Sequence, residues 1–119
     1  MYRILSVSQN VRLLVSRNDV LAMAGFSVIS PRTPDEAVLL AAQEDVDAVI
    51  IGHSIPARKR ARLIAELRQI CPHSLICFVY AFPDTTGEPL ADLSIDVTDG
   101  PELLVVALQE RLLPPQAAS

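Results

Sequence analysis

The sequence has few of the residues that mark membrane, disulfide-stabilised or metal-binding proteins. Its apolar runs, such as LLVVAL at 103–108, are much shorter than the roughly 18 residues that a membrane span requires. The opening MYRILSVSQN has no cationic segment followed by a long apolar stretch, so we expect no signal peptide and a cytoplasmic protein. With two cysteines and two histidines, neither a disulfide framework nor a zinc site is indicated. We therefore predict no metal and no cofactor.

The sequence also has no pattern that is typical of an active site. A GxGxxG segment and a P-loop are both missing, so nucleotide binding lacks its usual phosphate cradle. The histidines His53 and His73 have no partners that would suggest a catalytic triad. Cys71 and Cys77 are interpreted as small buried apolar residues. We therefore expect a protein that is not an enzyme.

Charge is unevenly distributed along the chain. The formal net charge of −4 argues against a general nucleic-acid binder. Half of the ten basic residues nevertheless fall between positions 58 and 68, on the polar side of a predicted helix: Arg58, Lys59, Arg60, Arg62 and Arg68. This cluster is either a solvated helical face or a docking surface for an acidic partner. No aromatic residues are interleaved with it, so we favour a protein partner and expect no nucleic-acid binding by this domain alone.

Strand patterns and helix patterns alternate over most of the chain, and half of the residues are hydrophobic. The predicted strands are 2–7, 26–30, 48–51, 74–82 and 93–97. The predicted helices are 11–24, 34–43, 57–71 and 99–112. Parallel strands need crossovers of this length, so the order predicts an α/β protein, an open parallel sheet with helices on both faces.

Several helix ends carry recognisable signals. Asn10 is a predicted N-cap, and Gly25 a predicted stop. Thr33 and Glu36 form a T-x-x-E capping box, with a proline at the first helical position. Asp99 or Gly100 is predicted to start the last helix. The predicted inward stripe of the first helix consists of Val11, Leu14, Val15, Asn18 and Leu21, with one polar interruption.

Ligands of open parallel sheets bind at the carboxyl ends of the strands. In this chain four short segments lie at that edge, each at or directly after the end of a predicted strand: residues 8–10, 52–54, 81–84 and 97–100. Any site is therefore expected where these four segments meet.

Four segments give the chain a resemblance to response-regulator receiver domains: RILSVS, AGFSVIS, TPDEAVLLAAQEDVDAVIIGHSIP and DGPELLVVALQERL. This CheY-like family implies a flavodoxin-like, doubly wound, five-stranded parallel sheet with strand order 2-1-3-4-5. Receivers usually place a helix between strands four and five. The segment PDTTGEPLAD is too short and too rich in helix breakers for a normal one, so helix 4 is predicted to be shortened or missing.

The reactive residues of the family have no counterparts here. The resemblance places the two metal-binding acids at Ser8 and Gln9, and the phosphoacceptor aspartate at Gly52. It places the hydroxyl residue near Tyr80 and the lysine near Val97. Mg²⁺ prefers carboxylate oxygens, and glycine has no side chain to accept a phosphoryl group. We therefore predict a degenerate phosphorylation pocket that receives no aspartyl phosphate.

Other residues remain as alternatives around this pocket. Asp84 and Asp96 are candidates to approach the same edge, although each also fits an ordinary turn or strand end. The predicted pocket or partner contacts are His53, Ser54, Arg58, Lys59, Arg60 and Arg62.

Three hypotheses of function follow. The first is a phosphorylation-independent pseudo-receiver, a protein-interaction module in two-component-type signalling or transcription regulation, with homodimerisation left open. The second is a small-molecule sensor that uses the vacated acidic pocket. The third, the least favoured, is a flavodoxin-like enzyme. We expect the domain to span residues 1–113, with residues 114–119 as a tail or the start of a linker.

Overall fold

The computed structural model describes residues 2–81 and 87–113, which form one five-stranded parallel sheet in the order β2-β1-β3-β4-β5. The strands are β1 (Arg3–Val7), β2 (Ser27–Ile29), β3 (Ala48–Gly52), β4 (Leu75–Tyr80) and β5 (Leu93–Asp96). The helices are α1 (Val11–Met23), α2 (Pro34–Gln43), α3 (Ala57–Ile70) and α4 (Glu102–Leu112). The predicted flavodoxin-like α/β fold and its strand order are confirmed.

Helices cover both faces of the sheet, and each face has its own apolar core. Side chains of α2 and α3, such as Ala37 and Leu67, pack on one face. Side chains of α1 and α4, such as Leu21 and Leu104, pack on the other. All five residues of β3 are buried, which is why its sequence is a continuous apolar run rather than an alternating one.

The predicted signals at the ends of α1 and α2 are confirmed. The Asn10 side chain accepts a hydrogen bond of 3.2 Å from the Leu13 amide, and the Thr33 hydroxyl accepts one of 3.1 Å from the Glu36 amide. Gly25 follows α1 with a φ of 94°, a left-handed conformation that glycine adopts without steric cost. The two cap bonds define the residues at which α1 and α2 begin.

The start of α4 differs from the prediction. The helix begins at Glu102, and Pro101 stands at its N-cap position without a side-chain hydrogen bond. Neither Asp99 nor Gly100 is the cap. Gly100 instead has a φ of 122°, so it turns the chain before the helix rather than starting it.

The buried face of α1 is rotated by part of a turn from the predicted one. Val11 is 71% exposed and Val15 is 54% exposed, whereas Leu21 is fully buried. Arg17, which the prediction did not include, is only 6% exposed. The inner face of α1 therefore runs through Leu14, Arg17 and Leu21, with an arginine in the middle of it.

No helix occurs in the part of the β4–β5 connection that the structure describes, Ala81 and residues 87–92, in agreement with the predicted loss of helix 4. Side chains of α3 hold this connection instead. Arg68 binds both carboxylate oxygens of Asp92, at 3.0 and 2.9 Å, and Asp92 also accepts a 2.8 Å bond from the Ile76 amide. Burial alone would raise the pKa of Asp92, but these hydrogen bonds and the nearby positive charges outweigh it and lower that pKa.

Two predictions fall on residues that the structure does not describe. Asp84 lies outside the described residues, as does the predicted tail, 114–119. Among the helices that are described, none is long and apolar enough to cross a membrane.

Candidate functional site

The carboxyl ends of β1, β3, β4 and β5 meet α1 and α4 around one cavity of about 280 Å³. Fourteen described residues line it: Ser8, Leu13, Ser16, Arg17, Gly52, His53, Ser54, Val79, Ala81, Val97, Thr98, Gly100, Pro101 and Leu104. The structure thus brings Ser8, Gly52 and Val97 together, together with the neighbouring His53 and Ser54.

Serine hydroxyls join the loop after β1 to the loop after β3. The Ser8 and Ser54 hydroxyl oxygens lie 3.0 Å apart, and the Gln9 amide donates a 3.0 Å bond to Ser54. The Asn10 amide donates a 3.1 Å bond to the Ser8 hydroxyl. The hydroxyl oxygens of Ser8 and Ser54 are therefore engaged in bonds within the chain. We call this set of bonds the serine clasp.

Ser8 and Arg17 lie close against Gly52 at the centre of the site. A Cβ atom added at Gly52 would lie 3.3 Å from the Ser8 hydroxyl oxygen and 3.6 Å from Nη1 of Arg17. The side chain that glycine lacks would thus point between a hydroxyl and a guanidinium. Glycine at this position therefore allows Ser8 and Arg17 to approach the end of β3 closely.

Arg17 is the charged group of the cavity. Its Nη2 donates a 3.1 Å bond to the Val7 carbonyl, whereas its buried Nε has no hydrogen-bond partner. Burial lowers the pKa of Arg17 from 12.5 to about 10, so the guanidinium stays protonated at neutral pH. None of the ion pairs formed by the described residues includes Arg17. A buried cation therefore stands where the resemblance to receivers implies carboxylates.

Two of the predicted pocket residues do not line the cavity. Gln9 is exposed, and only its backbone amide takes part in the serine clasp. The Tyr80 ring stacks on Phe78, with 5.8 Å between ring centroids, and Phe78 faces α3. Side chains alternate along a strand. Val79 lines the cavity, so Phe78 and Tyr80 point to the opposite face of the sheet. The hydroxyl predicted at this edge is therefore not supplied by Tyr80.

His53 and Asp96 both form local hydrogen bonds at this edge of the sheet. The His53 amide donates a 3.0 Å bond to the Val79 carbonyl, which extends the pairing of β3 with β4 by one residue. Asp96 accepts bonds from the backbone amide and the hydroxyl of Thr98, which lower its pKa. Asp96 thus closes a turn after β5 and does not line the cavity.

The basic cluster on α3 is not one solvated face. The Arg60 side chain is 12% exposed, forms a 2.9 Å ion pair with Glu88, and lies with its guanidinium carbon 4.4 Å from the centroid of the Phe78 ring. Arg68 is held by Asp92. Arg60 is thus an internal structural residue, and its prediction as a free partner contact is corrected. Arg58, Lys59 and Arg62 remain exposed.

Metal binding has little support in this site. Within residues 2–81 and 87–113, no group of three histidine, cysteine or acidic side chains could hold a metal ion. The cavity offers hydroxyls and a guanidinium, and a fixed positive charge opposes the entry of a second cation.

The sequence matches no protein-family model and no curated protein. Its fold is similar to those of solved receiver domains. A CheY-like receiver domain of Methanospirillum hungatei has a TM-score of 0.80 at 19% identity, over 92% of each chain. A receiver domain of Clostridium thermocellum has a TM-score of 0.78 at 16% identity, over 92% of this chain and 93% of that one.

A third similar structure is a complex of the histidine kinase ThkA with the response regulator TrrA. One of its chains has a TM-score of 0.76 at 20% identity, over 94% of this chain and 99% of that one. At these identities the likeness establishes the fold. The chain therefore has the fold of the CheY-like response-regulator receiver domains.

Proposed function

We propose that this chain is a phosphorylation-independent pseudo-receiver that acts by binding another protein in two-component-type signalling or transcription regulation. The observation that carries the first half is the buried guanidinium of Arg17 beside Gly52. It occupies the part of the sheet edge where a receiver of this fold would assemble a metal ion and an acceptor carboxylate.

The charge at this edge opposes phosphoryl transfer. Transfer to a carboxylate depends on a metal ion that neutralises the moving phosphoryl group. Arg17 repels such an ion, and the serine clasp engages the hydroxyl oxygens of Ser8 and Ser54. Gly52 supplies no acceptor. We therefore assign the domain no enzymatic role.

Exposed side chains support the second half of the proposal. Helices α1 and α4 contact each other, and outside the cavity both expose large apolar residues: Val11, Val15 and Met23 on α1, and Leu103 and Val106 on α4. Exposed apolar residues that lie together often mark protein-binding surfaces. The ThkA–TrrA structure contains a histidine kinase, which favours a signalling protein as the class of partner.

Treatment with acetyl phosphate and Mg²⁺ should leave the protein unmodified, because none of the described residues that line the site carries a carboxylate and Arg17 repels the metal ion. Intact mass spectrometry measures the modification, and Mg²⁺ should not change the melting temperature. The Asp84→Asn and Asp96→Asn variants would show whether any label resides on either aspartate. Stoichiometric, acid-labile phosphorylation of the wild-type chain would contradict the proposal.

Charge reversal of the exposed cations on α3 should reduce partner recovery in a pull-down about tenfold or more, since like charges across an interface repel. The variant replaces Arg58, Lys59 and Arg62 with glutamate and leaves Arg60 intact to preserve the fold. The comparison variant reverses Arg12 on α1, Arg111 on α4 and Arg32, which are exposed and change the net charge equally.

Each outcome of this experiment is informative. Loss in the α3 variant alone supports docking through α3. Loss in the comparison variant alone moves the docking surface to α1 and α4, and equal loss in both variants contradicts docking specifically through α3. Recovery that neither variant changes contradicts charged docking, and sedimentation of the purified chain would then test whether the partner is a second copy.

A further inference from the structure

We propose that the cavity beside Gly52 binds a small carboxylate with a compact apolar body, and that Arg17 provides the charged contact. This site is separate from the proposed protein partner. The described residues that line this cavity include Arg17 and no acidic side chain.

The first argument is the state of the arginine. A buried charge is costly unless a partner of opposite sign accompanies it, so buried arginines are ordinarily paired. Arg17 is 6% exposed and has one hydrogen bond, to the Val7 carbonyl, and no carboxylate partner within the described part of the chain. Its Nη1 makes no hydrogen bond in the described residues and lies on the side of Gly52. A bound anion would supply the missing charge.

The second argument is the space in front of that charge. A cavity of about 280 Å³, which Gly52 and Arg17 both line, lies between α1, α4 and the strand ends. This volume is just below the roughly 300–1,000 Å³ that is usual for ligand pockets. The ligand is therefore a small molecule rather than a nucleotide or a peptide.

The third argument is the chemistry of the walls. Besides the guanidinium, the residues that line the cavity include four larger apolar side chains: Leu13, Val79, Val97 and Leu104. A ligand with one anionic end and an apolar body matches this arrangement, because burying its body removes apolar surface from water. A carboxylate also matches the planar fork of a guanidinium.

The number of charges favours a carboxylate over inorganic phosphate. Arg17 is the one cation among the described residues that line the cavity, so it neutralises one negative charge. A phosphate dianion would bring a second charge into the same enclosed space without a second cation. Phosphate also has no apolar part to contact Leu13 and Leu104.

Benzoate is a suitable probe, with benzamide as its neutral counterpart of the same shape. In amide NMR titrations of the wild-type chain, benzoate should cause saturable shifts at Gly52, His53 and Val97. Benzamide should cause none at the same concentrations, and inorganic phosphate should bind at least tenfold more weakly. Benzoate should also raise the melting temperature, since it binds the folded state.

Two variants test the role of Arg17. Arg17→Met should weaken benzoate binding at least tenfold, whereas Arg12→Met on the same helix should leave it unchanged, because Arg12 is exposed. Both variants keep a long side chain of good helix propensity, and the NMR spectrum of each shows directly whether it is folded.

Other outcomes would overturn the proposal. They are equal binding of benzoate and benzamide, undiminished binding by Arg17→Met, tighter binding of phosphate, or no shift with benzoate at about 10 mM, well above a weak dissociation constant of about 1 mM. Benzoate binding that appears only in Asp84→Asn would show that the chain itself supplies the anion. Acetyl phosphate labelling would refute the proposed function without changing these shifts, so the two failures are distinguishable.

Discussion

Replacing Arg60 with alanine should lower the free energy of unfolding by about 3–4 kcal/mol, because removal of one partner leaves a buried charge uncompensated. The Arg60 and Glu88 side chains are 12% and 8% exposed, and their ion pair is 2.9 Å long. Arg60 also donates a 2.9 Å bond to the Ile55 carbonyl and covers the Phe78 ring. The substitution thus removes an ion pair, a hydrogen bond and a ring contact together.

Urea denaturation monitored by circular dichroism measures this loss. Arg62→Ala is the matched control from the same helix, since Arg62 is 85% exposed and its contact with Glu66 is 3.6 Å long. An exposed pair of this kind contributes less than about 1 kcal/mol. The double variant with Glu88→Ala should be less destabilised than the sum of the single variants. Equal, small effects of Arg60→Ala and Arg62→Ala would contradict an internal role for Arg60.

Replacing Arg17 with methionine should have the opposite sign and raise the free energy of unfolding by about 2 kcal/mol. Burial lowers the pKa of Arg17 from 12.5 to about 10. That lowering corresponds to about 3 kcal/mol of cost to the folded state at neutral pH, where the unfolded chain carries the charge in water. Loss of the bond to the Val7 carbonyl offsets about 1 kcal/mol of the gain.

The same denaturation experiment, performed in a buffer free of carboxylates, checks the Arg17 prediction. Arg12→Met should change stability by less than about 0.5 kcal/mol, because surface substitutions of this kind have small effects. A loss of stability in Arg17→Met would mean that the charge has a partner in the folded state. Since the proposed ligand is absent from the buffer, that result would contradict an uncompensated Arg17.

Much of the fold could be predicted because its signals are local. The apolar run of β3, the Asn10 cap and the Thr33 cap each depend on residues that are close together in sequence. Alternation of strands and helices then restricts the topology to a parallel sheet. The start of α4 and the inner face of α1 are predicted less well, because several residues satisfy a cap position or a helical period equally.

The charged interior of the site could not be predicted in the same way. Arginines count as polar in any periodic pattern, so Arg17 and Arg60 were assigned to the surface or passed over. Their burial depends on Gly52, Glu88 and Phe78, which are distant in sequence and become neighbours only in the folded chain. The one available signal was that Arg17 lies between Leu14 and Leu21 on a single helical face.

The serine clasp has a consequence for when this edge of the domain acquires its shape. The Ser8 and Ser54 hydroxyls and the Gln9 amide belong to the chain itself, so their bonds form as soon as the chain folds. No later chemical event is needed to draw the two loops together. The arrangement of the two loops is therefore part of the folded state itself and does not depend on a modification of the chain.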